Sequence, residues 1–253
     1  IMGIVDEQHG EWGDALRHYE GCLRLSEEHH LVMIKAYAHL EQGRLYRNIG
    51  LLDKAVEALT SGYRACQQNV QFLSHTTAIQ LAATEFTRQR LQEGRQWLER
   101  AQHHNNIGAF ARVWNILDAP AWAAVFEAEI TGQWAEAQHS VEGLLAEAME
   151  RKLPLFLPSL RIAQAHVLFG LGDYEAAESA LAAARAIAHA KNQLPWLWRI
   201  ALLRIHIAHR QGDDARAKEQ QQVADQLAST LAERLPRPLP QIFLESAKNY
   251  FPS

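Results

Sequence analysis

Apolar residues recur along this chain at steps of three and four. One series runs Leu52, Ala55, Leu59, Tyr63 and Cys66; another runs Tyr174, Ala177, Leu181, Ala184 and Ile187. Such steps put one stripe on one face of a helix, so both segments are predicted to be amphipathic helices. Residues 162–171 and 203–210 keep the same spacing. Alternation of β-branched with polar residues is absent, and no strand is expected. The pattern is that of an all-α chain.

A second pattern is superimposed on the first. Gly, four residues, then Ala appears as Gly10/Ala15, Gly50/Ala55, Gly132/Ala137, Gly172/Ala177 and Gly212/Ala217, with a degenerate copy at Gln89/Gly94. The period is about 40 residues, which marks a repeat architecture. Gly adopts the left-handed conformation that ends a helix without a Cβ clash. Asp173 and Asp213 follow two of these glycines and are placed to cap the next helix. The Ala lies in the first turn of that helix, where a small side chain lets two helices approach.

Each repeat therefore reads as helix A, tight turn, helix B and a looser connection. The connections are expected at residues 27–30, 67–71, 103–108, 152–154 and 191–195, where breakers or polar clusters occur. One hairpin cannot bury its own apolar stripe, so neighbours must stack. The expected architecture is a single domain over residues 1–253: a right-handed α-solenoid of about six antiparallel hairpins. Residues 235–253, with Pro236, Pro238 and Pro240 before a short apolar helix, are expected to form a terminal cap.

These features resemble the tetratricopeptide repeat. Gly43 and Ala165 match the family's small residue seven positions before the turn Gly, Ala55 and Ala177 the small residue five after it, and Tyr46 the helix A aromatic. The repeat here is longer than the family's usual one, most copies lack a closing Pro, and Val125 and Ile205 replace the small helix A residue. Ala-rich repeats of this longer kind also look like the C-terminal sensor arms of bacterial signalling ATPases, transcription activators of the maltose-regulon type and multidomain nucleotide cyclases. The tail Leu235-Pro236-Arg237-Pro238-Leu239 followed by Phe243-Leu244 is similar to the way cyclase-linked arms end. The activator type continues into a helix-turn-helix, for which no room remains after Ser253. The first residue is Ile1, and the chain is read as a piece of a longer protein.

In the tetratricopeptide family helix A lines the concave face. Counting back from each turn, the resemblance implies a groove made of Tyr37, Arg44, Arg47 and Asn48; Phe86; Trp122, Phe126 and Glu129; His166 and Phe169; and Arg199, His206, His209 and Arg210. This surface is basic at both ends and aromatic in the middle. It is expected to take an acidic-aromatic peptide, a neighbouring domain or a small effector. The competing expectation is that Trp122, Phe126 and Phe169 are ordinary packing between repeats.

Composition narrows the classes. Apolar residues make up 48% of 253, enough for a packed core. The net charge of −4 argues against direct nucleic-acid binding. No apolar run is long enough for a membrane span, and no signal peptide is visible, so a cytoplasmic location is expected. Cys22 and Cys66 lack CxxC spacing and are expected to be small buried core residues. His206 and His209 are three apart, but no third ligand or HExxH accompanies them; His29/His30 and His103/His104 fall in connections. Gly170-Leu171-Gly172 follows a helix and lacks the third Gly of a dinucleotide loop, and there is no phosphate loop and no GxSxG. The expectation is a non-enzymatic interaction or sensor domain of a bacterial signalling protein, with no cofactor and no metal. Its partner would be a protein, a peptide or another domain of the same chain. The alternative is a domain that binds a sugar-like or nucleotide-like effector, with Trp122, Trp196 and Trp198 as stacking platforms.

Overall fold

The computed structural model describes residues 1–69, 71–103 and 118–248. Among them are thirteen α-helices and no strand. In chain order they are α1 (Met2–His9), α2 (Trp12–Glu28), α3 (Val32–Ile49), α4 (Leu52–Asn69), α5 (Gln71–Thr87), α6 (Leu91–His103) and α7 (Asp118–Thr131). There follow α8 (Trp134–Glu150), α9 (Leu157–Gly170), α10 (Tyr174–Ala190), α11 (Leu194–Gln211), α12 (Asp214–Glu233) and α13 (Leu239–Ala247). The all-α expectation holds, and consecutive helices pack as pairs.

The chain divides into two compact units. The first comprises Ile1–Glu7, Glu11–Ala119 and Ala232–Ser253; the second comprises Gln8–Gly10 and Pro120–Leu231. In the first, α2 packs on α3, α3 on α4, α4 on α5 and α5 on α6. In the second, α8 packs on α9, α9 on α10 and α10 on α11.

The helices stop where the chain reverses its backbone hand. Gly10, Gly50, Gly132, Gly172 and Gly212 all have φ between 72° and 92°. In the degenerate copy Gln89 takes the same conformation, at φ 60°. The helix B ends do likewise: His30, Lys152 and Asn192 have φ between 51° and 55°. Left-handed residues thus stand at 10, 30 and 50, and again at 132, 152, 172, 192 and 212, one in every twenty. At all of these ends except Gly132, where the Gln133 N–H donates to Thr131 Oγ1 instead, the hydrogen bonds share one form. After Gly50, the Leu51 N–H reaches back to the Tyr46 carbonyl (2.8 Å); after Asn192, the Gln193 N–H reaches the Ala188 carbonyl (2.8 Å). This six-residue closure satisfies a carbonyl that the helix leaves without a partner. Asp173 and Asp213 cap as expected, accepting from the N–H groups of Ala176 (3.0 Å) and Arg216 (2.9 Å).

The small residues lie inside. Ala15, Ala55, Ala137, Ala177 and Ala217 are all buried, and Ala177 is fully so. A Cβ on Gly94 would fall 2.4 Å from the Phe86 ring, and one on Gly43 would fall 2.5 Å from Leu59. These contacts show why the positions are small: the facing helix occupies the space a side chain would need. Around Ala177 the core of the second unit gathers Ile162, Ala165, Leu181, Ala184, Ile200, Leu203 and Ile207 from three successive helices.

Two expectations change. Cys66 is buried, and burial pushes its thiol up to about 11, but Cys22 is exposed. The buried stripe of α2 runs through Tyr19 to Ser26, and Cys22 falls beside it. The connection expected at 67–71 is shorter, because residues 67–69 still belong to α4 and Gln71 already belongs to α5. Val70 and residues 104–108, and with them His104 of the 103–108 connection, lie outside the described residues. The C-terminal segment packs within the first unit. Helix α13 packs on α3, Phe243 is fully buried against Trp12 of α2 (edge-on, 5.0 Å), and Ser246 fills the space beside Gly50. Arg234 joins the contact through its carbonyl, which accepts from Gly13 N–H (3.1 Å), and through its side chain, 2.9 Å from Glu11. Phe251 lies outside the described residues.

Candidate partner-binding groove

The proposed groove residues fall in both units and meet different chemistry in each. In the first unit α3 carries Tyr37, Arg44, Arg47 and Asn48. Arg44 lies 2.7 Å from Glu41, one turn earlier, and 3.2 Å from Glu7 of α1. Glu7 also accepts from Tyr19 Oη (2.8 Å) and from Asn48 Nδ2 (3.4 Å). Tyr37 donates to Glu41, and Asp118 adds a third carboxylate to the field around Tyr37, Glu41 and Arg44. Arg47 donates to the Gln80 carbonyl on α5 (3.5 Å). Phe86 is half-buried and covers Gly94.

Electrostatics follow from burial. Taking Glu41 out of water disfavours its charged form; Arg44 opposes this while Glu7 and Asp118 reinforce it, and the carboxyl rises to about 7. The charge of Glu41 and then burial push the Tyr37 phenol up, and burial and then Glu7 do the same to Tyr19, so both phenols stay protonated donors. The sequence reading missed Glu7, Glu41 and Tyr19. Glu41 was detectable, since it precedes Arg44 by three positions, where helical side chains meet. Glu7 and Tyr19 had no such signal, because only the folded chain brings them to Arg44.

In the second unit the residues line α7, α9 and α11. Trp122 of α7 is half-buried, packs edge-on to His166 of α9 (5.4 Å), lies beside Phe126 (6.0 Å) and donates through Nε1 to Ser159 (3.0 Å). Glu129 is exposed. His166 is buried; burial, then the charges of His206 and Arg199, lower it to about 4, so the ring is neutral. Phe169 packs on Tyr174 (5.9 Å) and lies under the Arg210 guanidinium (6.0 Å). Arg199 lies over Trp196 (5.0 Å). His206 is half-buried and lowered by burial, then by His209 and Arg210. His209 is exposed, 3.9 Å from Asp214, and Arg210 is exposed. Trp122 and Phe169 are therefore both core and surface: each packs against the buried cluster and keeps part of its area outside it.

Among the described residues no three His, Cys, Asp or Glu side chains are placed to hold a metal ion. No helix there is long and apolar enough to cross a membrane. Compared with known proteins, the chain matches no family model and no curated protein.

Proposed function

We propose that this chain is a tetratricopeptide-like helical-repeat domain, built as a right-handed solenoid of about six hairpins. In this reading it binds a protein, a peptide or a neighbouring domain within a larger bacterial signalling protein. The left-handed helix ends every twenty residues support the repeat. The observation that carries the binding role is the face of α7, α9 and α11. There Trp122, Phe126 and Phe169 present half-buried ring area, and Arg210 lies exposed over Phe169. Large rigid rings beside guanidinium groups are the side chains that dominate binding energy at protein interfaces. The role is non-catalytic and cytoplasmic, and it uses no cofactor.

The test is a display selection of random peptides on the purified chain, repeated on a Trp122→Ala, Phe169→Ala variant. Peptides enriched on the native chain should be lost on the variant while far-UV helicity is kept. Failure to enrich any peptide removes the reading.

One observation favours the second reading, a small effector. Ser74 Oγ, Thr76 Oγ1 and Gln80 Oε1 on α5 are buried without a hydrogen-bond partner among the described residues. Buried polar groups in that condition are costly, and a polar ligand is one way of satisfying them. A thermal-shift screen of sugars and nucleotides, with loss of the shift in Gln80→Leu, tests it.

A further inference from the structure

Helix α1 reaches α2 and α3 through the buried carboxylate of Glu7. This group accepts from Tyr19 Oη (2.8 Å) and Asn48 Nδ2 (3.4 Å) and lies 3.2 Å from the Arg44 guanidinium. Glu41, also buried, lies 2.7 Å from the same guanidinium. Two carboxylates thus share one cation, and Arg44 balances the charge of only one of them. A second negative charge beside Glu7, away from water, repels the carboxylate that ties α1. A proton on Glu41 removes that charge and leaves Arg44 to Glu7. The charged and titratable groups facing Glu41 among the described residues are Glu7 on α1, Tyr19 on α2, Tyr37 and Arg44 on α3 itself, and Asp118 at the start of α7. Where α4, α5 and α13 meet α3 stand Leu59, the Gln80 carbonyl and Ser246. Lys54 and Glu57 of α4 act instead on Tyr46, and Glu27, Lys35 and His39 form a separate group at the start of α3.

We propose that Glu7 and Glu41 form a proton-operated latch: a proton on Glu41 holds α1 on α2 and α3, and its loss to water loosens α1 and uncovers Tyr19. The contact that opens is a close one, since a Cβ on Gly3 of α1 would fall 2.8 Å from the Tyr19 ring. This device is independent of what the chain binds. Its direction follows from linkage. With α1 docked, burial raises Glu41, Arg44 opposes the rise, and Glu7 and Asp118 reinforce it, to about 7. Opening removes Glu7 and admits water, so the carboxyl returns toward its ordinary 4.5. Between these values opening releases a proton. The open fraction therefore rises with pH, by up to about tenfold per pH unit, and levels off once Glu41 has ionised in the closed form as well.

The experiment is hydrogen exchange of the Val5, Asp6 and Glu7 amides from about pH 5 to about pH 8, corrected for the intrinsic pH dependence of exchange. A helix of eight residues does not persist alone, so undocking exposes these amides. In the native chain their protection should fall as pH rises and then level off. Glu41→Gln should keep them protected with no pH dependence, and Glu7→Gln, which removes the repelled carboxylate, should abolish the dependence too. Circular dichroism verifies folding, and the native profile needs no variant; if Glu41→Gln does not fold, Glu7→Gln makes the same test. The Asp6–His18 pair (3.3 Å) also joins α1 to α2 and strengthens in acid, so His18→Gln is the control and should leave the dependence in place. Level protection in the native chain, or a dependence that survives Glu41→Gln, overturns the latch. Loss of the dependence in His18→Gln assigns it to the Asp6–His18 pair and overturns the latch as well. An equal change in the amides of α5 marks a loss of the whole unit and has the same consequence.

Discussion

In the first unit Arg44 is answered from within the molecule, by Glu7 and Glu41; in the second, Arg199 and Arg210 rest on rings and turn toward the surface. Both sets lie on the helix before a turn glycine, Arg44 six positions before Gly50 and Arg199 and Arg210 thirteen and two before Gly212. What differs is the neighbouring helix. In the first unit α1 supplies Glu7, whereas in the second α7 and α9 present Trp122, His166 and Phe169 and the acid of α10, Glu178, goes to Arg204. A guanidinium closed in by two carboxylates is a structural tie, and one lying across a ring is held by the cation–π contact instead. Basic residues in a helix A face therefore do not have one meaning, and the acids opposite decide which applies.

The largest expected effect breaks the tie in the first unit. Arg44→Ala leaves Glu7 and Glu41 buried beside one another and should cost roughly 3 kcal/mol in urea unfolding, near the low end for a broken buried pair because Arg44 reaches some water. Adding Glu41→Gln should restore part of the loss. If Arg44→Ala is neutral, the cluster is not a tie and the contrast with the second unit disappears.

A comparable effect should appear in the pH dependence, with opposite signs in the two units. His166 is lowered from 6.5 to about 4, so between those values the unfolded chain binds the proton and the folded chain refuses it. Stability of the second unit should then fall as pH drops from 6.5 toward 4, by about 3 kcal/mol in all. Glu41 is raised from 4.5 to about 7, so the folded chain holds its proton more tightly. That contribution is present in acid and is lost as pH rises from 4.5 through 7. Hydrogen exchange resolved by helix measures both: protection in α9 should weaken on acidification and protection in α3 should strengthen. His166→Leu should flatten the first response and Glu41→Gln the second. The same direction of change in both helices would contradict the contrast.

A smaller effect tests a helix cap of the second unit. Asp213→Ala removes one cap from α12 and should cost about 1 kcal/mol, with the loss of protection confined to the first turn of that helix. A loss near that of Arg44→Ala would mean that capping, not the charge cluster, governs stability.

The periodic glycines and alanines by themselves determined the helix ends and the close approach of paired helices. Both depend on conformational and steric properties of single residues read against a neighbour a few positions away. Gly50, Gly172 and Ala177 behave as their spacing predicts, and even Gln89 takes the left-handed turn that its register assigns. The roles of the charged positions were decided by tertiary structure. Glu7 lies far from Arg44 in sequence, and only Glu41, one turn before Arg44, distinguishes it locally from Arg199. Likewise Phe243 is an apolar residue in a short terminal helix until folding sets it against Trp12. Local geometry travels with the chain, whereas charge and ring contacts depend on which distant helix arrives opposite, and only the packed molecule specifies that.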